Sequence, residues 1–341
     1  MVKIRFATRD DIDNIISFIS ENWNKDSILV RNREIFEYQY CDEKSCRFVI
    51  AIDDDTRKIY GLKGFIYLNS EDRPDIAAAL AIVLQGVRPM LGMEIQRFLE
   101  RETNCRYLCS TGLNPDTSVK VYKLFKKDYY VDKLNHYYRL NSNNNYYNVS
   151  KIKCKKILPV YGDAYLKKCS TIKELSISYD TSSNKDQFPY KDEKYLNYRY
   201  YNHPTYNYDV YAIYLPKEEY AKAIIIGREI KIMDKNIWRI VDFIGDENVV
   251  SQCGTCIQSL IEKNNYEFID WYEFGIENSL LTKAGFLLRT EDDINIIPNY
   301  YEPYVQKNVD IYFFTNKVNE RFTIFRSDGD QDRPNMLVKE S

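Results

Sequence analysis

The sequence predicts an α+β fold made of two strand-rich units of similar order. Short apolar runs typical of strands alternate with segments in which apolar residues recur at helical spacing. A polar, asparagine-rich stretch at 141–150 interrupts this alternation and is typical of a linker. A similar order of segments then returns in the C-terminal half. We therefore expect a first domain at 1–150 and a second at 151–341.

The first unit begins with a predicted strand at 3–7 and a helix. Thr8 and Asp10 supply side-chain oxygens that cap helix N-termini, and isoleucines at 12, 15, 16 and 19 follow at helical spacing. Strands at 47–53 and 59–68 enclose the turn DDDTR. The remaining predicted elements of this unit are a strand at 76–84, a helix from 91, a strand at 106–111, a helix at 116–126 and a strand at 136–140.

The segment IVLQGVRPMLGMEIQRFL, residues 82–99, carries the first functional signal. An apolar strand runs into a Gly-Val-Arg-Pro turn, and an amphipathic helix starts at Leu91–Gly92. A helix N-terminus has free backbone N–H groups and a partial positive charge, which suit phosphate. The segment therefore predicts either a phosphate cradle or an ordinary strand-to-helix connection punctuated by Gly and Pro.

The second unit repeats the scheme after a charged break at 182–194. We expect strands at 209–215, 222–226 and 237–245, a helix at 252–263, a strand at 268–274 and a helix at 278–284. Strands at 310–315 and 322–325 complete this unit.

Charge balance and cysteine usage narrow the class of protein. With 48 basic and 50 acidic residues the net charge is −2, which argues against a nucleic-acid partner. Cys253 and Cys256 form a lone CxxC, and His136 and His203 are the chain's two histidines, so we expect buried thiols and no metal. The charged start MVKIRFATRDDID and the lack of an apolar run of about 18 residues predict a cytoplasmic protein with no membrane contact.

Several motifs resemble those of one superfamily. IRFATRDDID, followed by a hairpin, an apolar strand, a Pro/Gly turn and a helix, resembles the GCN5-related N-acetyltransferase (GNAT) superfamily. Pro89-Met-Leu-Gly92 resembles the Pro-x-Leu-Gly variant of bacterial GNAT-type sugar N-acyltransferases. YRYYNHPTYNY at 198–208 and the tail RSDGDQDRPN at 326–335 resemble segments of the two-domain members. The resemblance implies tandem GNAT-like domains, each a mixed, mostly antiparallel sheet flanked by helices.

The resemblance implies that the first domain binds an acyl-CoA. Backbone N–H groups of the turn would hold the CoA diphosphate, those around Leu84–Val87 would polarise the thioester carbonyl, and Asn114 would hold pantetheine. The residues implied in cofactor binding are Leu84, Gln85, Val87, Arg88, Pro89, Leu91, Gly92, Met93 and Asn114.

Three residues are candidates for proton transfer. Tyr122 is similar to the superfamily's general acid, which would protonate the leaving thiolate, although its spacing from Val119 also suits a core aromatic. His203 titrates near neutrality and is a candidate base for the amino group, or a structural histidine before a proline. Asp242 is the rival base, or a carboxylate at a strand end.

The resemblance also implies an acceptor site in the cleft between domains. Its expected residues are Arg199 and the polar tail residues Asp328, Asp330, Gln331, Arg333 and Asn335. Arg326 or Arg333 would bind a nucleotide diphosphate through two parallel hydrogen bonds. A frayed C-terminus is the alternative for this tail.

The implied activity is transfer of an acyl group, 3-hydroxybutanoyl in the subgroup that fits best, from acyl-CoA to the amino group of a dTDP-linked amino-dideoxy sugar. The amine would attack the thioester directly in a ternary complex. Two alternatives remain open. One is a Fem-like aminoacyl transferase, which the neutral charge balance disfavours. The other is a catalytically inert GNAT-like module that binds a nucleotide sugar or a partner.

Overall fold

The computed structural model describes residues 2–319 and 321–335. The strands are β1 Val2–Thr8, β2 Ser45–Asp53, β3 Lys58–Tyr67, β4 Asp75–Val83, β5 Tyr107–Leu113, β6 Tyr130–Lys133, β7 Asn135–Leu140, β8 Tyr165–Lys168, β9 Asp209–Tyr214, β10 Ala223–Ile232, β11 Lys235–Gly245, β12 Tyr266–Phe274, β13 Leu287–Leu288, β14 Tyr300–Tyr301, β15 Tyr304–Val305, β16 Tyr312–Thr315 and β17 Ile324–Phe325. The helices are α1 Ile12–Asn22, α2 Ile28–Arg31, α3 Arg33–Tyr40, α4 Leu91–Thr103, α5 Ser118–Leu124, α6 Ile172–Ser178, α7 Glu193–Leu196, α8 Gly254–Asn264 and α9 Asn278–Lys283.

Two large mixed sheets organise the described residues. The first has the strand order β1-β2-β3-β4-β5-β16-β6, and the second has the order β13-β7-β12-β11-β10-β9-β8 with β17 added to β12. Each is antiparallel except for one parallel pair, β4 with β5 in the first sheet and β11 with β12 in the second. The predicted α+β fold is confirmed.

Successive side chains of β2 pack against helices on opposite faces of the first sheet. Phe48, Ile50 and Ile52 pack with α1, α2 and α3, whereas Val49 and Ala51 pack with α4 and α5 on the other face. Successive side chains of a strand point to opposite faces, so a strand covered on both sides is apolar at almost every position. This explains the continuous apolar run of β2.

The two sheets exchange strands across the expected boundary at 150. The strand predicted at 136–140 is β7, and it pairs with β12 and β13 in the second sheet. In return β16, from the C-terminal part of the chain, pairs with β5 and β6 in the first sheet. Apolar alternation predicts a strand but not its partner, so the sequence did not reveal the exchange.

The parallel pair in each sheet separates after a short run of pairing. In the first sheet β4 and β5 pair only over Asp75–Ala77 and Tyr107–Cys109, although β4 continues to Val83. In the second sheet the β11–β12 register ends at Ile240 and Trp271, and β17 takes up the edge of β12 beyond that point. Each sheet therefore contains a splay, an opening between two neighbouring strands.

Candidate functional site

The C-terminal tail, residues 326–335, connects the two splays. Ser327 donates its backbone N–H to Val241 O at 3.2 Å, on β11 of the second sheet. One residue later the carbonyl of Asp328 accepts a hydrogen bond at 3.1 Å from the hydroxyl of Thr111, on β5 of the first sheet. The alternative of a frayed terminus therefore does not hold for residues 326–332, which are mostly buried.

A β-bulge distorts β4 where it leaves β5. The β3–β4 register shifts between Lys63 and Phe65, so four residues of β4, Ala78 to Ala81, face three of β3. A bulge leaves backbone N–H groups without a partner in the interstrand hydrogen-bond ladder. Leu84, by contrast, donates its N–H to Tyr60 O at 2.9 Å, so its amide is already in use. The N–H group best placed to polarise a carbonyl is thus that of Ala79, earlier than the sequence indicated, because the N–H of Leu80 donates to the Tyr40 hydroxyl.

The turn after β4 is open to solvent, as a phosphate cradle requires. Gln85, Arg88 and Pro89 are exposed, and a Cβ on Gly92 would touch only the Val83 side chain, at 3.4 Å. The N–H groups of Met93 and Glu94 already bond Met90 O, at 2.9 and 3.0 Å. The N–H groups of the first helical residues, at 91 and 92, precede the intrahelical ladder of α4.

The side chains of this turn have mostly structural contacts. Leu91 and Met93 are buried and pack in the core beneath α4, so only their backbone can reach a ligand, and Val87 packs against the same core. Arg88 forms an ion pair with Glu94, which offsets its positive charge. Asn114 is exposed, and its Oδ1 accepts N–H groups of Asp116 at 2.8 Å and Thr117 at 3.2 Å just before α5.

Tyr122 belongs to a buried polar cluster beneath α4. Its hydroxyl accepts a hydrogen bond from Lys63 Nζ at 2.7 Å and donates to Gln96 Oε1 at 3.2 Å, and its ring stacks on Phe314 with centroids 4.1 Å apart. Burial lowers the pKa of Lys63 to about 7 and raises that of Tyr122 well above its usual value. A proton held between these groups therefore stays on the phenol at neutral pH.

The tail lines a cleft of about 590 Å³ between the α1–α2 connection and the β14–β15 hairpin. Asp330, Gln331, Arg333 and Asn335 all line it, so four of the six predicted acceptor residues come together. Trp23 faces them with 47 % of its surface exposed, and the Arg333 guanidinium lies over its ring at 5.4 Å. Tyr300 and Glu302 complete the opposite wall.

Asp330 lies close to both the cleft and the bulge of β4. It lines the cleft, and its Oδ2 is 3.8 Å from Arg333 NH2. Burial, and next the charge of Asp330, raise the pKa of Tyr40, whose hydroxyl hydrogen-bonds the backbone of Leu80 in the bulge. A single carboxylate therefore lines the cleft and acts electrostatically on Tyr40, which is bonded to the bulge.

The other two predicted acceptor residues hold the tail in place. Arg199 donates to Tyr208 OH at 2.8 Å and to Asp332 O at 2.5 Å, and it is buried. Asp328 accepts Phe325 N–H at 2.8 Å and lies 2.7 Å from Lys191 Nζ. Their contacts with neighbouring protein groups explain the order of the tail.

Asp242 lies in the same buried cluster as Asp328. Its Oδ1 is 2.5 Å from Lys191 Nζ and its Oδ2 accepts a hydrogen bond from Tyr200 OH at 2.6 Å. Burial, offset by Lys191, raises the pKa of Asp328 to about 6. With no exposed surface and both oxygens bonded, Asp242 is poorly arranged to take a proton from a substrate.

His203 is also occupied by protein groups. Its Nδ1 accepts the N–H groups of Thr205 at 3.1 Å and Tyr206 at 2.9 Å, and its ring stacks on Tyr206. Burial, and then the charge of Arg199, lower its pKa to about 3. The neutral ring then carries its proton on Nε2, which is a donor, so this geometry does not favour a role as general base.

The described residues contain no organised site for the metal or thiol chemistry that the sequence raised. Among residues 2–319 and 321–335 no group of three or more His, Cys, Asp and Glu side chains could hold a metal ion. Cys253 is buried and donates to Val249 O, while Cys256 donates to Cys253 O. None of the helices in the described ranges is long and apolar enough to cross a membrane.

Comparison with solved structures identifies the fold. A GCN5-related N-acetyltransferase from Anabaena variabilis aligns with 92% of this chain and 72% of its own at a TM-score of 0.55 and 13% identity. A probable N-acyltransferase from Enterococcus faecalis aligns with 94% of this chain and 73% of its own at a TM-score of 0.55 and 10% identity. The chain has the GNAT fold. This confirms the fold that the sequence motifs implied.

At these identities the likeness extends to the fold alone. No protein-family model and no curated protein matches the sequence. The bulge of β4, the β4–β5 splay and the N-terminus of α4 are observed in this chain itself.

Sequence reasoning missed several residues that line the cleft. Trp23, Tyr300 and Glu302 line it without a motif to mark them, and Asn299 lies at its inner end. The signal available was the density of aromatic and polar residues at 299–305, but only the folded chain brings them beside the tail.

Proposed function

We propose that this protein is an acyl-CoA-dependent N-acyltransferase. The observation that carries the proposal is the position of the β4–β5 splay. From the splay, β4 runs into the exposed turn and the N-terminus of α4, while Gln331 connects β5 with the 590 Å³ cleft. A thioester donor and an amine acceptor would meet at this junction.

The donor's diphosphate would bind the backbone N–H groups of Leu91 and Gly92, where the helix dipole favours negative charge. Gln85 and Pro89, which are exposed, would border it, and Arg88 would contribute once released from Glu94. Pantetheine would then follow β4 past Leu84 and Val87, with Asn114 on the facing loop. The thioester carbonyl would accept the N–H group of Ala79 in the bulge.

The acceptor would occupy the cleft. Two exposed aromatic side chains, Trp23 and Tyr300, provide flat surfaces for a base or sugar ring, and Arg333 provides a cation beside them. Asp330, Gln331 and Asn335 add hydrogen-bonding groups. This combination suits a nucleotide-linked amino sugar, and we propose a dTDP-linked amino-dideoxy sugar that receives a short acyl chain such as 3-hydroxybutanoyl.

The reaction needs three proton transfers. The acceptor's ammonium loses a proton, and Asp330 is the carboxylate best placed to receive it, because the bonded groups of His203 and Asp242 face protein partners. The amine nitrogen then attacks the carbonyl carbon, the C–S bond breaks, and the thiolate leaves. Tyr122, the proposed acid, would protonate that thiolate once its bond to Gln96 breaks. The nitrogen loses its second proton as the amide forms, and that proton restores the phenol of Tyr122. No acyl-enzyme is required.

Thiol release tests this function directly. We would incubate the protein with acetyl-CoA or 3-hydroxybutanoyl-CoA and a panel of amines that includes dTDP-amino sugars, and measure free CoA. Amine-dependent release of thiol supports the proposal. CoA binding without release from any amine favours the inert module, and tight tRNA binding without CoA binding favours the Fem-like alternative.

A further inference from the structure

We propose that the inner end of the cleft is a binding site for one anionic group of the acceptor, held by the donors of Arg326, Asn299 and Arg333. The inference rests on the proposed function for the identity of the ligand as an acceptor. It deepens that function by assigning the side-chain atoms that bind the acceptor's anionic group, a carboxylate or a phosphate.

Three buried donors without partners point to this site. Arg326 Nε, Asn299 Nδ2 and Arg333 NH1 have no hydrogen-bond acceptor within the described residues. Arg326 is 4 % exposed and Asn299 is 1 % exposed, so solvent does not satisfy them freely. Leaving a buried donor without an acceptor destabilises the folded state, more so when the donor is charged. Three such donors in one place indicate a missing acceptor.

All three residues line one small pocket, which shares Tyr300, Glu302, Gln331, Arg333 and Asn335 with the cleft. Its volume is about 10 Å³, room for one water molecule or one oxygen atom. An oxygen of a carboxylate or phosphate fits there while the rest of the ligand lies in the cleft. The site is thus the closed end of the proposed acceptor site.

The charge around the pocket favours an anion. Among the described residues four arginines and one carboxylate, that of Glu302, line the pocket. The arginines are Arg228, Arg239, Arg326 and Arg333. Three of them have a carboxylate within 4 Å outside the lining: Asp332 beside Arg228, Asp270 beside Arg239 and Asp330 beside Arg333.

Arg326 is the arginine whose charge is least balanced. Its guanidinium donates to Asn299 Oδ1, which orients the amide of that residue, but its nearest carboxylate oxygen, on Asp332, is 3.9 Å away. Asp332 is already engaged by Arg228 at 3.0 Å and by Tyr208 OH at 2.8 Å. Burial, and then the charge of Arg239, lower the pKa of Arg326 to about 10. An anion in the pocket would supply the missing counter-charge.

Glu302 is the one carboxylate that the described residues contribute to the pocket lining, and it is already bonded. It accepts Tyr206 OH at 2.9 Å and Asn335 N–H at 3.1 Å. These bonds fix its carboxylate against Tyr206 and the backbone of the tail.

Anion binding can be measured on the full-length protein without acyl transfer. Thermal unfolding would be followed against sodium acetate, sodium phosphate and the neutral isostere acetamide, at ionic strength matched with sodium chloride. We expect a saturable rise in melting temperature with acetate or phosphate and none with acetamide. A response to acetate alone identifies a carboxylate, and a response to phosphate alone identifies a phosphate.

Substitutions test whether the anion that raises the melting temperature binds in this pocket. Arg326→Gln is expected to weaken anion binding at least tenfold. Arg333→Gln, which changes a residue on the partly exposed cleft wall, is expected to weaken it at least threefold and to fold even if the first variant does not. Arg73→Gln, an exposed arginine far from the pocket, is the matched control. No saturable response in the wild type, or one that Arg333→Gln leaves unchanged, overturns the site.

Thiol release separates this inference from the proposed function. Glucosamine, glucosamine 1-phosphate and 2-amino-2-deoxyglucuronic acid would be compared as acceptors. We expect kcat/KM to be at least tenfold higher for an anionic amine. Equal rates for neutral and anionic amines overturn the inference and leave the acyltransferase intact. Saturable anion binding with no thiol release from any amine supports the anion site and overturns its assignment to an acceptor.

Discussion

The side-chain amide of Gln331 lies directly against the backbone of Gly112. A Cβ at residue 112 would be 1.9 Å from Gln331 Nε2, and Gly112 has a φ of +83°. Because Gly112 is on β5 and Gln331 lines the cleft, this contact fixes the acceptor cleft against the splay. The tail can approach β5 this closely because residue 112 has no side chain.

Gly112→Ala should therefore damage the acceptor site without damaging the donor site. The new methyl group displaces Gln331, and we expect the KM for the acceptor to rise at least fivefold while CoA affinity changes less than twofold. Gly86→Ala is the matched stability control, because Gly86 has a φ of +76° with nothing near its Cβ. Each variant should lose about 1–2 kcal/mol from backbone strain. An unchanged acceptor KM in Gly112→Ala would argue against this geometry.

Asp330→Asn should lower kcat at least tenfold at pH 7, because it removes the proposed proton acceptor but keeps the size of the side chain. His203→Asn is the contrast. The pKa of His203 is lowered to about 3, so its loss should leave the pH–rate profile between pH 5 and 8 unchanged in shape. Profiles of kcat against pH check both variants. A profile that flattens in His203→Asn and not in Asp330→Asn would return the role of base to the histidine.

Tyr122→Phe should reduce turnover more than CoA affinity. The substitution removes the hydroxyl that bonds Lys63 and Gln96 but keeps the ring stacked on Phe314. We expect kcat to fall at least tenfold, the CoA dissociation constant to change less than twofold, and stability to fall by about 1–2 kcal/mol. Single-turnover kinetics and a CoA titration measure the two effects. Unaltered turnover would leave Tyr122 as a core residue.

The pH dependence of stability should show the effect of Glu273. Burial raises the pKa of Glu273 to about 8, against 4.5 in an unfolded chain. The folded state therefore binds more protons between these values, and its stability falls as pH rises from about 4.5 to 8. Glu273→Gln mimics the protonated form, so it should match the wild type near pH 5 and exceed it by about 2–4 kcal/mol at pH 8. Denaturant unfolding at the two pH values checks this, and a constant difference between the proteins would contradict it.

The sequence predicted the positions of strands and helices better than it predicted which strands pair and which side chains meet. Apolar runs located strands such as β2 and β11, and isoleucines at helical spacing located α1, because these signals depend on neighbours in the chain. It could not show that β7 and β16 exchange sheets, since pairing across the molecule leaves no local pattern. For the same reason it assigned Arg199 and Asp328 to the ligand, whereas their partners are Tyr208, Asp332 and Lys191.

The motif predicted where the proposed donor site begins, but the sequence indicated only part of the cleft proposed for the acceptor. Gly92 and the exposed turn lie at the N-terminus of α4 as the motif implied, because strand, turn and helix are consecutive. Asn299 and Trp23 are far from the tail in sequence and join it only through folding. His203 was a candidate base because the pKa of a free imidazole lies near neutrality. In the structure burial lowers this pKa, and two backbone N–H groups occupy its Nδ1.

CoA binding by two variants at Gly92 tests the central claim most directly. Gly92→Ala meets only Val83 at 3.4 Å and should fold and bind CoA within about threefold of the wild type. Gly92→Glu places a negative charge in the first turn of α4, which the helix dipole favours by about 0.3–1 kcal/mol and which repels a diphosphate. A thermal-shift titration with CoA should show binding in the wild type and Gly92→Ala, and at least tenfold weaker binding in a stably folded Gly92→Glu. Equal CoA affinity in all three proteins, or none in the wild type, would contradict the account.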